Sequence, residues 1–212
     1  MIFASKRNRL LLALSLCVGL AWIPTPPRAQ RGLLDPFASF IATIQWSRAD
    51  AAFDEGQLDL GLARAESALE LNPEATAGWS WLASVLVHRF ASLEFEPIPA
   101  TRRAWVEAGL ELLSRGEELA SEPAELAFHA GLVMAYVASI PGEVLEWPGG
   151  PQSAWRDAAE HFERAKELGH PRAEEIAQAA WLEVYSPHRP HDLESDPEAI
   201  KASGEVEIPD KN

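Results

Sequence analysis

Cysteine is almost missing from this sequence: one of its 212 residues is Cys, and that residue, Cys17, lies inside an apolar run near the start. One thiol closes no intramolecular disulfide and builds no thiolate metal knuckle, so the folded part must be held by its apolar core. Alternating runs of apolar β-branched residues, the mark of half-buried strands, are scarce as well. There is no glycine-rich phosphate loop, no Gly-x-Ser-x-Gly elbow and no His-Glu-x-x-His pair. The commonest nucleotide-binding, serine-hydrolase and zinc-protease classes therefore have no footing here. The sequence supplies no catalytic residue, no cofactor site and no metal site to expect.

Basic charge is short too. The 18 Lys and Arg face 32 Asp and Glu, a formal charge of −14. Five of the basic residues, Lys6, Arg7, Arg9, Arg28 and Arg31, fall in the first 31 positions, which hold no acid; the rest of the chain has 13 against 32, or −19. A body of that sign repels phosphates and anionic head groups, because binding either takes clustered Lys and Arg. Nucleic acid is excluded as a partner on this ground. A basic protein surface is favoured, if the charge serves binding and not solubility alone.

The first 31 residues have the order of an export signal. Lys6, Arg7 and Arg9 precede an apolar run from Leu10 to Ile23, which Pro24, Pro26 and Pro27 terminate. At about 1.5 Å per residue that run spans about 21 Å as a helix, short of a hydrocarbon layer of about 30 Å. A signal peptidase prefers small residues at two positions before its cut, and Ala29 has Pro27 two places earlier. The segment is thus read as a signal peptide or an uncleaved anchor through residues 10–23, placing the protein in the periplasm or tethered facing it. From residue 186 the chain is acidic, polar and scattered with Pro, without an apolar period to bury; it reads as a disordered tail, 186–212.

Between these ends, positions 35–185 carry helical periodicity. Asp35-Pro36 caps and opens a helix with Phe37, Phe40, Ile41 and Ile44, ended by Gly56. Leu58, Leu62, Ala65 and Leu69 form a second stripe, ending at Asn72-Pro73. A third helix, opened by Pro73, has Trp79, Leu82, Leu86 and Phe90. After a loop over 91–100 come a fourth with Trp105, Leu112, Leu113 and Leu119, and a fifth, from Pro123, with Phe128, Leu132 and Tyr136. A second loop, 142–152, precedes a sixth with Trp155, Ala158, Phe162, Ala165 and Leu168, closed by Gly169, and a seventh opened by Pro171. The connection of about three residues between the first two helices makes them an antiparallel hairpin. The expected fold class is all-α.

Pro73, Pro123 and Pro171 each stand where one amphipathic helix ends and the next begins, the punctuation of a helix-pair array. Ala158, Phe162 and Ala165 followed by Pro171, and Ala68 with Leu69-Glu70-Leu71-Asn72-Pro73 ahead of Trp79 and Leu82-Ala83, resemble the tetratricopeptide repeat. The prolines are 50 and 48 residues apart, against about 34 in that repeat, and the two loops inside the pairs account for the excess. The usual Leu-Gly pair is Leu82-Ala83 in one unit and reversed, as Gly131-Leu132, in another. The resemblance covers Phe37 to Tyr185. It implies about seven helices, stacked as antiparallel pairs into a short right-handed superhelix, and a non-catalytic adaptor that holds a protein partner during assembly or secretion.

The resemblance also implies that first helices of pairs line a concave groove, which makes His88, His129 and Tyr136 candidate partner-binding residues. Trp147 is a fourth candidate, in a loop with Glu143, Glu146 and Pro148; it either packs down as a lid or stands out as an anchor. Phe95 and Ile98 face the same choice. A competing function is an envelope glycan-binding protein or all-helical enzyme built on the Trp147 loop and its acids, since sugar chemistry uses carboxylate pairs beside aromatic platforms.

Overall fold

The computed structural model describes residues 35–142 and 144–185. The leader over 1–31, the acidic tail from 186 and the loop acid Glu143 lie outside the described residues. Among those described there are seven α-helices and no strand: α1 (Asp35–Asp54), α2 (Leu58–Leu71), α3 (Thr76–Ser84), α4 (Pro99–Leu119), α5 (Pro123–Ser139), α6 (Gly150–Glu167) and α7 (Ala173–Tyr185). The class and the helix number agree with the sequence reading. α3 runs without a break into a π-helical segment, Val85–Phe90.

Glycine and proline set most of the boundaries. Gly56 and Gly169 both have positive φ, 73° and 91°, in the turns that end α1 and α6, a conformation that costs a residue with a Cβ. Pro123 takes the first turn of α5, where its missing N–H is no loss. Pro99 and Pro151 do the same for α4 and α6, so those helices begin earlier than loops ending at 100 and 152 would allow. Pro73 and Pro171 instead stand in the turns ahead of α3 and α7. The Pro73 carbonyl accepts a hydrogen bond from the Trp79 indole N–H at 2.8 Å, which fixes the turn before the helix starts.

Each helix packs on the next in sequence, and α3 also packs on α5. The stripes read from the sequence supply the core: Trp79, Leu82, Leu86 and Phe90 from α3 and its π segment, Trp105, Leu112 and Leu113 from α4, and Phe162 from α6 are all buried. Close crossings rest on glycine facing an aromatic ring. Gly61 of α2 lies on the Phe53 ring, and a Cβ at Gly131 of α5 would sit 2.6 Å from the Phe162 ring. That contact also explains the reversed Gly131-Leu132 pair, since the small residue takes the crossing and Leu132 turns outward.

α1 departs from the inward-facing expectation that its spacing invites. Phe37 and Phe40 are 66% and 64% exposed, and Ile41 is exposed beside them. The core face of α1 is made by Ala42, Ala49, Ala52 and Phe53.

Candidate functional site

On α3 and its extension, Trp81, Ser84 and His88 recur at intervals of three and four and share one face. On α5, His129, Leu132 and Tyr136 do the same. The packing of α3 on α5 brings the two faces together. Ser84 Oγ and His129 Nε2 are 3.2 Å apart, within hydrogen-bond distance. One turn along, the His88 ring meets Tyr136 edge-on, with centroids 4.7 Å apart and planes at 67°. Three of the four residues singled out in the sequence thus form one surface cluster. Leu132 and Tyr136, 48% and 39% exposed, give it apolar area.

The π segment shapes this cluster. Its wider turn is marked by the bond from Ala91 N–H to the Leu86 carbonyl, five residues back, at 3.0 Å. Leu86, Val87 and Phe90 go into the core while His88 stays outside. Short π segments inside α-helices cluster at functional positions because they re-aim side chains without ending the helix. Arg89 anchors the segment to the end of α1: Nη2 donates to the Phe53 carbonyl at 2.7 Å, and Nη1 pairs with Asp54 Oδ1 at 3.0 Å.

Both imidazoles are pushed toward their neutral form. Burial lowers the His88 pKa from its ordinary value. Burial also lowers that of His129, and His88 adds to the effect through charge repulsion. A neutral His129 beside a serine hydroxyl has the spacing of a base and a nucleophile. Ser84, however, lies in the body of a continuous helix, where backbone N–H groups are already bonded to carbonyls of the preceding turn. Such a position has no free amides to stabilise an oxyanion, and among the described contacts no third group orients the His129 ring.

The same face of α3 continues toward α1. Between α1 and the start of α3 is a cavity of about 500 Å³. Trp46 and Trp81 meet in it with centroids 5.1 Å apart and planes at 70°, and Thr43, Ser47, Asp50 and Asn72 contribute polar atoms. Sequence reasoning passed over Trp46, Asp50, Trp81 and Ser84. A signal was present: Ser39, Thr43, Trp46 and Asp50 recur at helical spacing on the face of α1 that borders its core alanines, and Ala42 lines the same cavity.

Trp147 is not part of this surface. Its indole N–H donates to Asp157 Oδ2 of α6 at 3.1 Å, and the ring packs half-buried against the core. Of its two roles it takes that of a lid, together with the buried Leu145. Phe95 also packs down, onto Phe90 at 4.8 Å, and Ile98 is half-buried; in that loop Leu93 is the apolar residue left exposed, at 57%. The loop is braced by the buried Arg102, whose Nη1 donates to the Glu96 carbonyl at 3.0 Å.

Among the described residues no cluster of three or more His, Cys, Asp or Glu is placed to hold a metal ion, and no helix is long and apolar enough to cross a membrane. Compared with protein-family models, curated proteins and solved structures, the chain finds no match.

Proposed function

We propose that this protein is a non-catalytic binding module of the cell envelope, a short right-handed array of tetratricopeptide-like helix pairs that holds an extended segment of a partner protein. The pairs are α1 with α2, α3 with α4, and α5 with α6, and α7 closes the array. The groove is the continuous face of α1, α3 and α5. The observation that carries this reading is the convergence of the Trp46–Trp81 cavity, the Ser84–His129 contact and the His88–Tyr136 contact on first helices of successive pairs.

The chemistry of that face suits a polypeptide. Exposed Leu132 and Tyr136 offer apolar area of the kind that dominates interface energetics. Ser84, His88, His129 and Asn72 offer donors and acceptors for an extended backbone, which carries one of each per residue. The envelope location rests on the basic-apolar-proline leader of the sequence.

The test is a paired variant, Leu132→Glu with Tyr136→Ala, in the full-length chain. Leu132 is about half exposed, and Tyr136 gives up its edge-on contact with His88, so the pair should cost about 1–2 kcal/mol and leave the protein folded. The reading expects a small drop in melting temperature while partner capture from crosslinked cells is lost. Capture of the same proteins by parent and variant, with both folded, would refute it.

A further inference from the structure

The cavity between α1 and α3 differs from the rest of the groove in charge and in shape, and we infer that it is a subsite for one Lys or Arg side chain of the bound segment. This deepens the groove reading and rests on it.

Three features point to a cation on an apolar stem. The first is the aromatic floor: Trp46 and Trp81 are each half-buried and meet edge to face, so ring surface remains turned to the cavity. Indole is the best of the natural ring systems for attracting an ammonium or guanidinium group, because its face carries the negative part of the ring quadrupole. The second is the room. The cavity holds about 500 Å³, and at its wall Gly78 lets the Trp46 ring lie close against the α3 backbone, where a Cβ would come within 2.7 Å of it. The third is the sign of the charge. Among the described residues, Asp50 is the one charged residue that lines the cavity. It is exposed, and its carboxylate forms no ion pair among the described residues.

A Lys or Arg entering the cavity lays its methylenes along the indoles and carries its charge to Asp50, with Thr43 and Ser47 hydroxyls near it as acceptors. Bonds from a cationic donor to a carboxylate are shorter and stronger than neutral ones. Burial pushes the two neighbouring imidazoles of the groove toward their uncharged form, which weakens any repulsion of such a ligand. The chain's net charge of −14 adds a long-range attraction of the same sign. An acidic side chain would meet the opposite conditions on every count. A purely apolar one would leave the Asp50 carboxylate without a partner.

The experiment uses the immobilised full-length protein and four pools of capped nine-residue peptides, random except for a central Lys, Arg, norleucine or Glu. Retained peptides are quantified by mass spectrometry, with spermidine binding followed separately by Trp fluorescence. The Lys and Arg pools should be retained about tenfold over the norleucine pool, the ratio expected from one charge-assisted contact. Asp50→Asn, an exposed substitution, should abolish that ratio without moving the melting temperature, and Trp81→Phe should reduce it. Equal retention of norleucine and Lys pools, with both lost in the Leu132→Glu, Tyr136→Ala variant, would overturn the cation subsite and leave the groove standing. Retention of no pool would overturn both. Asp50-dependent binding of spermidine without Lys preference among peptides would transfer the subsite to a free polyamine and overturn the peptide assignment.

Discussion

A histidine half out of water and beside a second histidine is pushed toward its neutral form by two effects of one sign. His129 is in this position, with burial the larger cause and the His88 charge the second. A base whose folded pKa is lowered takes up protons more readily in the unfolded chain, so stability is kept above the unfolded value of about 6.5 and is lost as pH falls below it. His161 has the same direction, burial outweighing the opposing Asp157 and Glu160. Glu66 and Glu117 act oppositely, since burial raises them and their cost fades as pH falls. Comparison with a variant isolates the histidine effect. His129→Gln should flatten the fall in melting temperature between pH 6.5 and 5; an unchanged slope would show that His129 is not held neutral. How much of the site the sequence revealed follows the same local logic. His88, His129 and Tyr136 were legible as polar or amphipathic residues on first helices. Trp81 was not, because it lies two positions from Trp79, and until the helix phase is fixed nothing says which of the two indoles goes inward. Trp147 could not be placed from the sequence for a related reason: its loop is rich in Pro and Gly, and its indole bonds to Asp157, ten residues on.

A helix crossing is where glycine has its largest effect here. Gly131 of α5 lets Phe162 of α6 lie against the backbone, and Phe128 meets the same ring at 5.3 Å. Gly131→Ala drives a methyl into a packed ring and should cost about 1–3 kcal/mol despite the better helix propensity of Ala. Phe162→Ala empties the same site and should cost about 3–5 kcal/mol. Because the two share one contact, the double variant should cost less than the sum of the singles. Urea unfolding of the three proteins measures all of this; full additivity would mean that the crossing is not built on this pair. At this scale most of the fold could be read from the amino acids, since stripes at three and four and stops at Gly and Pro mark each helix. Two things could not. Leu82, Leu86 and Phe90 fit an α-helix as well as a π turn, so the widening after Ser84 left no trace. The spacing of Phe37, Phe40 and Ile41 announces a helix without saying which side is covered, and in α1 short alanines make the buried side.

The molecule as a whole is a row of helices in which each packs on its neighbour, and every second one from α1 to α5 contributes to a shared face. Polar positions on that face, scattered through the sequence from Ser39 to Tyr136, become contiguous only through the stacking. The central claim is that this face receives a polypeptide, and position-specific photocrosslinking tests it most directly. A photoreactive residue is placed in the full-length protein at Leu132, in the groove, and in a second version at Ala179, exposed on α7. The account predicts ultraviolet-dependent adducts from position 132 that map to one continuous stretch of a partner protein, and none to that stretch from position 179. The same adducts from both positions, or adducts from 179 alone, would contradict it.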